Sequence, residues 1–150
     1  MKNPVTDICD LNCELPPDAP DAPQWLVDAL QVPREEGWVT SDGCDVHYFR
    51  WGDPANPPLL LMHGFLAHAR CMAFIAPFLA EQYHVVAYDL SGMGDSGVRS
   101  SYPDAVRAQE VVDVARETGL FDHAIKPIVI AHSYGGHVGL AAMNDFHELF

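Results

Sequence analysis

The stretch that decides the fold is IVIAHSYGG, residues 128–136. Its first three residues are apolar, which predicts a short strand buried on both faces. Ser133 follows almost at once, and residues 135–146 have the spacing of a helix that begins with small side chains. A buried strand, a sharp turn at a serine and a helix are together typical of a nucleophile elbow, which holds the hydroxyl above the sheet. The alternative is a serine that caps an ordinary helix.

The neighbours of Ser133 are as small as such a turn requires. Ala131 lies two residues before the serine and Gly135 two residues after it. The start of the following helix also favours the negative charge that develops when a serine attacks a carbonyl. We therefore predict that Ser133 is a nucleophile.

Upstream of the serine, strand and helix patterns alternate. Apolar runs and helical spacing predict a strand at 58–62, a helix at 69–82, a strand at 85–88, a helix at 104–118 and a strand at 128–130. Before them, residues 37–41 and 46–51 flank Asp42-Gly43, which is a strong hairpin signal. This order predicts an α/β fold of about five strands, in a mostly parallel sheet with helices on both faces.

A second motif, His63-Gly64-Phe65, directly follows the strand at 58–62. Gly64 allows the backbone to turn sharply and to approach a ligand. An elbow enzyme takes one oxyanion donor from the residue after the nucleophile and another from the loop after an earlier strand. The predicted donors are the backbone N–H groups of Tyr134 and Phe65, and each such donor contributes about 3 kcal/mol to the transition state.

Three residues near this motif are weaker candidates for substrate binding: His63, Gly64 and His68. His63 either contacts substrate or bonds its own loop, and we favour the second interpretation. His68 either lines the pocket or is an exposed loop residue.

A third motif, DLSGMGDSG at residues 89–97, is rich in glycine. It resembles a phosphate-binding loop only superficially, because it lacks the third glycine before a helix and a P-loop lysine. We interpret it as a tight structural turn in which Asp89 and Ser96 bond the backbone. Asp89 is not assigned as a catalytic acid.

The bulk composition excludes several classes of partner. The 150 residues carry a net charge of −13, which argues against nucleic acid and anionic membranes. Apolar runs fall well short of the roughly 20 residues of a membrane span. The four cysteines lack zinc-site spacing and fit a reducing compartment, with Cys9 and Cys13 expected to be free. Because the N-terminus lacks a signal-peptide pattern, we expect a soluble cytoplasmic protein; its oligomeric state is left open.

Three segments are predicted along the chain. Residues 1–23 are acidic and rich in proline, which predicts an extended or disordered arm. Residues 24–36 form a leader with a short helix followed by a linker, and residues 37–150 form the α/β domain. In the leader helix we expect the apolar side chains to face inward, namely Trp25, Leu26, Ala29 and Leu30.

With these three motifs, the sequence resembles the N-terminal part of the α/β-hydrolase superfamily, in its single-domain group of serine hydrolases. The resemblance spans roughly residues 37–150 and rests on the motifs at 63–65, 89–96 and 131–136. It implies an esterase-like enzyme in which Ser133 attacks an ester, thioester, lactone or similar acyl substrate. The oxyanion is held by Phe65 and Tyr134, and no metal or organic cofactor takes part.

Two departures from the family pattern are visible. Ala131 stands where glycine is commoner, and it is small enough to keep the turn. Relatives with an aspartate nucleophile, such as epoxide hydrolases and haloalkane dehalogenases, are disfavoured because position 133 is serine.

The family's triad acid and histidine follow the serine in chain order. Only His137 and His147 follow Ser133 here, and both fall on the predicted helix after it. We therefore expect a fragment of a longer hydrolase, inactive by itself. The alternatives are a non-catalytic ligand-binding protein of the same fold, and a lyase, haloperoxidase or acyltransferase that uses the same serine.

Overall fold

A computed structural model describes residues 22–150. The predicted arm falls almost entirely outside the described residues, as do Cys9 and Cys13. The strands are β1 (Glu35–Ser41), β2 (Cys44–Trp51), β3 (Pro58–Met62), β4 (His84–Tyr88) and β5 (Ile128–Ala131). The helices are α1 (Gln24–Gln31), a 3-10 helix (Ala69–Met72), α2 (Ala76–Ala80), α3 (Asp104–Glu117) and α4 (Tyr134–Asp145). In this part of the chain, every helix is too short or too polar to cross a bilayer.

The predicted hairpin is formed by β1 and β2, which pair antiparallel. Asp42 and Gly43 occupy the turn with φ values of 43° and 71°. Two consecutive positive φ values are the mark of a type I′ turn, whose twist matches that of the strands it joins. Strand β1 begins at Glu35, two residues earlier than the sequence pattern predicts.

The five strands form one sheet in the order β1-β2-β4-β3-β5. Strands β4, β3 and β5 run parallel, and β2 pairs antiparallel with β4. The predicted fold class is therefore confirmed, as a mixed sheet with a parallel half. In the parallel half the register aligns Met62 with Tyr88 and with Ala131, so the loops after these strands leave from the same edge.

The core has two layers because the side chains of β3 alternate between the faces of the sheet. Leu60 and Met62 pack in the layer covered by α3 and α4. Leu59 and Leu61 pack in the layer covered by the 3-10 helix and α2. Helices thus cover both faces, as the alternating pattern predicts.

Two local predictions are wrong. The helix predicted over residues 69–82 is split into the 3-10 helix and α2, with Pro77 in the first turn of α2. Proline has no N–H and cannot continue a helix from the preceding turn, although it fits well at a helix start. Trp25 of α1 does not face inward, since it remains 51% exposed beside the Phe78 ring, whereas Ala29 is buried.

Candidate active site

Ser133 lies at the junction of β5 and α4 in an unusual backbone conformation. Its φ is 52° and its ψ is −117°, and its side chain makes no capping hydrogen bond to α4. An ordinary N-cap serine has an extended backbone and does cap the helix, so that alternative is excluded. A positive φ at a residue other than glycine stores strain of roughly 1–3 kcal/mol, which is a recurrent feature of active sites. The side chain is exposed at the edge where the parallel strands end.

Close packing around Ser133 explains why its neighbour two residues on is glycine. A Cβ atom built on Gly135 would lie 2.4 Å from the carbonyl oxygen of His63 and 3.0 Å from that of Met62. Any side chain at this position would push α4 away from the end of β3. Packing against the end of β3 is therefore the reason why the sequence pattern has a small residue, Gly135, two positions after the serine.

Gly64 brings the loop after β3 against the serine turn. A Cβ on this buried glycine would lie 2.8 Å from Nδ1 of His132 and 3.4 Å from Cβ of Ser133. The loop backbone therefore lies directly beside the serine. Gly64 shapes the site through its backbone. Its assignment to substrate binding stays a prediction.

The two residues predicted as oxyanion donors are neighbours. The rings of Phe65 and Tyr134 meet edge to face with their centroids 5.8 Å apart. Within residues 22–150, neither backbone N–H has a hydrogen-bond partner. Phe65 lies in an exposed loop and Tyr134 is the first residue of α4, where N–H groups have no partner within the helix. Beside an exposed serine, two such donors make a site able to accept an anionic oxygen.

His63 bonds its own loop. Its Nδ1 lies 2.7 Å from the carbonyl oxygen of Gly64, and its Nε2 accepts a hydrogen bond from the Leu90 N–H at 3.0 Å. These partners require a neutral ring with the proton on Nδ1. Burial lowers the pKa of His63, which also favours the neutral ring. Since the side chain is only 1% exposed, the geometry favours the structural interpretation over substrate contact.

His68 is buried, so the interpretation as an exposed loop histidine is wrong. Its ring contacts the exposed Cys71, whose Sγ lies 3.8 Å from Nε2. The contact between them raises the pKa of His68 and lowers that of Cys71. A contact between His68 and substrate remains a prediction.

Asp89 organises the third motif as a structural turn. Its carboxylate accepts hydrogen bonds from the backbone N–H groups of Ala69 and Asp95 at 2.5 and 3.0 Å. Ser96 donates through Oγ to the Asp89 carbonyl oxygen at 2.6 Å. Burial would raise the pKa of Asp89, but its hydrogen bonds, foremost the one from His47, lower it. The predicted turn, bonded by Asp89 and Ser96, is therefore present.

Sequence reasoning missed His47, which joins this turn to the hairpin. Its fully buried ring contacts two carboxylates, with Nδ1 2.7 Å from Asp89 and Nε2 2.8 Å from Glu36. Two carboxylate acceptors are both satisfied only when each ring nitrogen carries a proton, so these contacts stabilise the imidazolium form of His47. Burial lowers the pKa of His47, but the hydrogen bonds outweigh it and raise the value overall. Strand alternation places residue 47 on one face of β2, but its partners are distant in sequence.

Glu110 was missed for the same reason. This fully buried carboxylate on α3 accepts hydrogen bonds from the N–H and the hydroxyl of Ser91, at 2.9 and 2.5 Å. It also pairs with Arg99 at 3.1 Å and with Arg107 at 3.3 Å. The network anchors the glycine-rich turn to α3.

One group of side chains has the spacing of a cation site. Carboxylate oxygens of Glu36 and Asp95 and a ring nitrogen of His47 all lie within 4.8 Å of one another. Asp95, however, is already paired with Arg70, and His47 donates to Glu36. The group's negative charge is thus balanced by side chains of the protein itself.

Within residues 22–150, no side chain is hydrogen-bonded to the hydroxyl of Ser133. His137, one turn along α4, pairs instead with Asp104 at 3.0 Å and stacks on the Tyr134 ring. The described residues therefore place the predicted nucleophile beside the predicted oxyanion donors, without a base in contact.

Residues 59–150 match the model of the alpha/beta hydrolase family. The chain belongs to this family. The identification agrees with the strand order and with the serine turn at the carboxyl edge of the sheet.

Three similar proteins illustrate the relationship. The uncharacterized hydrolase YugF of Bacillus subtilis is 28% identical over 113 residues, which cover 74% of this chain and 40% of YugF. A soluble epoxide hydrolase of a Corynebacterium species is 32% identical over 109 residues, or 72% of this chain and 36% of that enzyme. The crystal structure of a membrane phospholipase A superposes with a TM-score of 0.71 at 31% identity, over 84% of this chain and 39% of that one. The chain thus spans well under half the length of these three proteins.

Proposed function

We propose that this chain carries the nucleophile and the oxyanion hole of a serine hydrolase that acts on a carboxylic ester or a related acyl substrate. The observation that carries the proposal is the strained conformation of Ser133, with φ 52° and ψ −117°, beside two unpartnered backbone donors. The strain at Ser133 is unfavourable, so packing alone does not explain it, and the two free donors beside the serine can bind an oxygen atom. Each becomes useful when an acyl group enters the site.

In the proposed reaction, Oγ of Ser133 attacks the carbonyl carbon of the substrate and gives up its proton to a base. The carbonyl π electrons move to oxygen, and the N–H groups of Phe65 and Tyr134 stabilise the resulting oxyanion. Collapse of the tetrahedral intermediate expels the alcohol or thiol, which takes a proton, and leaves an acyl-serine. Water then attacks the same carbon and releases the acid and free Ser133.

A serine at position 133 favours acyl transfer over epoxide opening. A serine nucleophile forms an ester with an acyl group, and water cleaves that ester through the same oxyanion hole. The phospholipase A and the epoxide hydrolase that this chain resembles represent the two alternatives. Ser133 supports the first, with a small-molecule acyl substrate and no organic cofactor.

An active-site-directed fluorophosphonate probe tests the nucleophile. We expect the probe to label the complete protein that contains this chain once, on the tryptic peptide that contains Ser133. Labelling should disappear in Ser133→Ala and persist in the matched control Ser100→Ala, an exposed loop serine. Unchanged labelling of Ser133→Ala would refute the assignment.

The absence of a contacting base among the described residues favours a second candidate, a non-catalytic ligand-binding protein. This candidate predicts that acyl compounds bind without turnover. Hydrolysis of a p-nitrophenyl ester that depends on Ser133 would exclude it. Binding of the same ester by the complete protein, without release of p-nitrophenol, would exclude the hydrolase.

A further inference from the structure

A polar cleft lies at the opposite edge of the sheet from Ser133. It forms where β2 ends at Trp51 and β4 begins at His84. Its volume is about 240 Å³. Strand β4 alone separates the two edges by about 13 Å, that is, four steps of 3.3 Å. The cleft therefore takes no part in the chemistry proposed at the serine.

The cleft concentrates positive charge in a strongly acidic chain. Arg34 and Arg50, two of its eight arginine and lysine residues, line this cleft. Arg34 is distinctive because its guanidinium makes no ion pair within the described residues and lies 4.6 Å above the Phe49 ring. The other described arginines each pair with a carboxylate, namely Arg50, Arg70, Arg99, Arg107 and Arg116.

The buried polar atoms of the cleft wall also lack partners. His84 is only 2% exposed, and neither of its ring nitrogens makes a hydrogen bond within residues 22–150. Nε of Arg50 is likewise buried without a partner. Buried polar groups are nearly always hydrogen-bonded, so three such atoms in one wall point to a missing partner. The Nε–H of Arg50 and one nitrogen of a neutral His84 ring are donors, whereas the other ring nitrogen is an acceptor. Two of the three atoms therefore need an acceptor, which an oxyanion supplies.

The charges around His84 are mixed in sign, but cations outnumber carboxylates in the cleft lining. Burial lowers the pKa of His84, and the positive charges of His123 and Arg50 lower it further, against the opposite effects of Glu35 and Asp53. Glu35 also lines the cleft, where it pairs with Arg50 at 2.5 Å. Two guanidinium groups against one carboxylate leave the lining with a net positive charge.

We propose that this cleft binds the oxyanion group of a small molecule, a phosphate or a carboxylate, with Arg34 and Arg50 as charged donors beside the buried His84. Guanidinium groups suit both anions because their N–H groups match two oxygens at once. The apolar wall formed by Trp51 leaves space for an organic part of the ligand.

Calorimetric titration of the full chain with inorganic phosphate, at an ionic strength held constant with NaCl, tests the proposal. We expect saturable binding that Arg34→Gln weakens about tenfold, the effect of losing a charged hydrogen bond. The control Arg116→Gln removes the same charge from an exposed site on α3 and should leave binding unchanged. Absence of saturable binding, or equal weakening by both variants, would overturn the proposal.

Chemical-shift mapping of the wild-type chain provides a test that does not depend on any variant folding. Phosphate should shift the Cε1–H resonance of His84 and the indole N–H of Trp51, and shifts scattered over other surfaces would contradict the site. A parallel titration with acetate separates the two ligand sources, since a carboxylate ligand predicts the same shifts with acetate. Failure of the probe to label Ser133 would leave these results untouched, because the two sites are separate.

Discussion

The rings of Phe65 and Tyr134 meet edge to face at 5.8 Å, with an angle of 79° between their planes. The contact joins the loop after β3 to the first residue of α4. These two segments carry the unpartnered backbone N–H groups, so the aromatic pair holds the proposed oxyanion donors in a fixed relation. Positions that support this relation should affect reactivity more than the stability of the fold.

Gly64→Ala tests how closely the loop must approach the serine. The added Cβ would lie 2.8 Å from the His132 ring and 3.4 Å from Ser133, so the loop must shift by a few tenths of an ångström or more. We expect the rate constant for fluorophosphonate labelling to fall by up to about 10²-fold, the effect of a small misplacement of reacting groups. Gly136→Ala, whose Cβ meets nothing within 4 Å, is the control and should label at the wild-type rate. Equal rates for both variants would show that the loop position is unimportant.

Gly135 and Gly136 are adjacent in α4 and should respond oppositely to alanine. At Gly135 the new Cβ meets backbone oxygen at 2.4 Å, so α4 must move and the free energy of unfolding should fall by about 1–3 kcal/mol. At Gly136 there is open space, and alanine should raise the free energy of unfolding by roughly 0.5–1 kcal/mol because of its higher helix propensity. Urea unfolding of the two variants measures both changes. Destabilisation by Gly136→Ala would contradict this account of the helix.

The strain at Ser133 predicts that removing the side chain stabilises the protein. Glycine accepts a φ of 52° and a ψ of −117° far better than serine does. We therefore expect Ser133→Gly to raise the free energy of unfolding by about 1 kcal/mol over Ser133→Ala, which loses the hydroxyl but keeps the Cβ. Thermal unfolding of the two variants is the measurement. A Ser133→Gly variant no more stable than Ser133→Ala would argue against a strained serine.

His47 should make stability depend on pH in a defined direction. The folded state raises the pKa of this imidazole above its value of about 6.5 in an unfolded chain. Its contribution is therefore complete below about pH 6.5 and is lost as the pH rises through the folded value. His63 and His84, whose pKa values are lowered, act with the opposite sign, so the comparison with His47→Gln isolates the effect. The stability difference between wild type and variant should shrink as the pH rises, and a difference that grows would contradict the assignment.

Glu110→Gln should be among the most destabilising changes on α3. The carboxylate is fully buried, and its loss leaves the positive charges of Arg99 and Arg107 without the negative charge that balances them. Breaking a buried ion pair in this way costs about 3–5 kcal/mol. The control on the same helix is Asp113→Asn, which disrupts a pair with the exposed Arg116 and should cost less than about 1 kcal/mol. Urea unfolding compares the two, and equal losses would refute the role of the buried network.

Sequence patterns predicted most of this fold because its signals are local. The alternation of apolar runs and helical spacing places each strand within about two residues, and Asp42-Gly43 predicts its turn through the positive φ values that both residues tolerate. The serine turn was predictable for the same reason, since small residues must stand at fixed offsets. The prediction of one continuous helix over residues 69–82 was wrong because it followed the apolar spacing. The only local sign of a break in this segment is Pro77.

The supporting contacts were not predictable because they join distant segments. His47 and Asp89 are 42 residues apart, and Ser91 and Glu110 are 19 apart. A buried imidazolium or carboxylate has no periodic signature, and the identity of its partner depends on sheet register and loop course. The cleft beside His84 is a similar case, because strand ends from β2 and β4 create it only after they pair.

The carboxylate of Asp89 has a consequence for how the molecule assembles. It holds the hairpin through His47, the 3-10 helix through Ala69 and its own loop through Asp95. Contact between Asp89 and His47 closes a long loop, which costs chain entropy. The contact stabilises the chain only once the hairpin has docked on the sheet. We therefore expect the loops around Ser133 to become ordered late in folding, in the same cooperative step as the docking of the hairpin. A chain that has not yet docked its first two strands has no organised site to present.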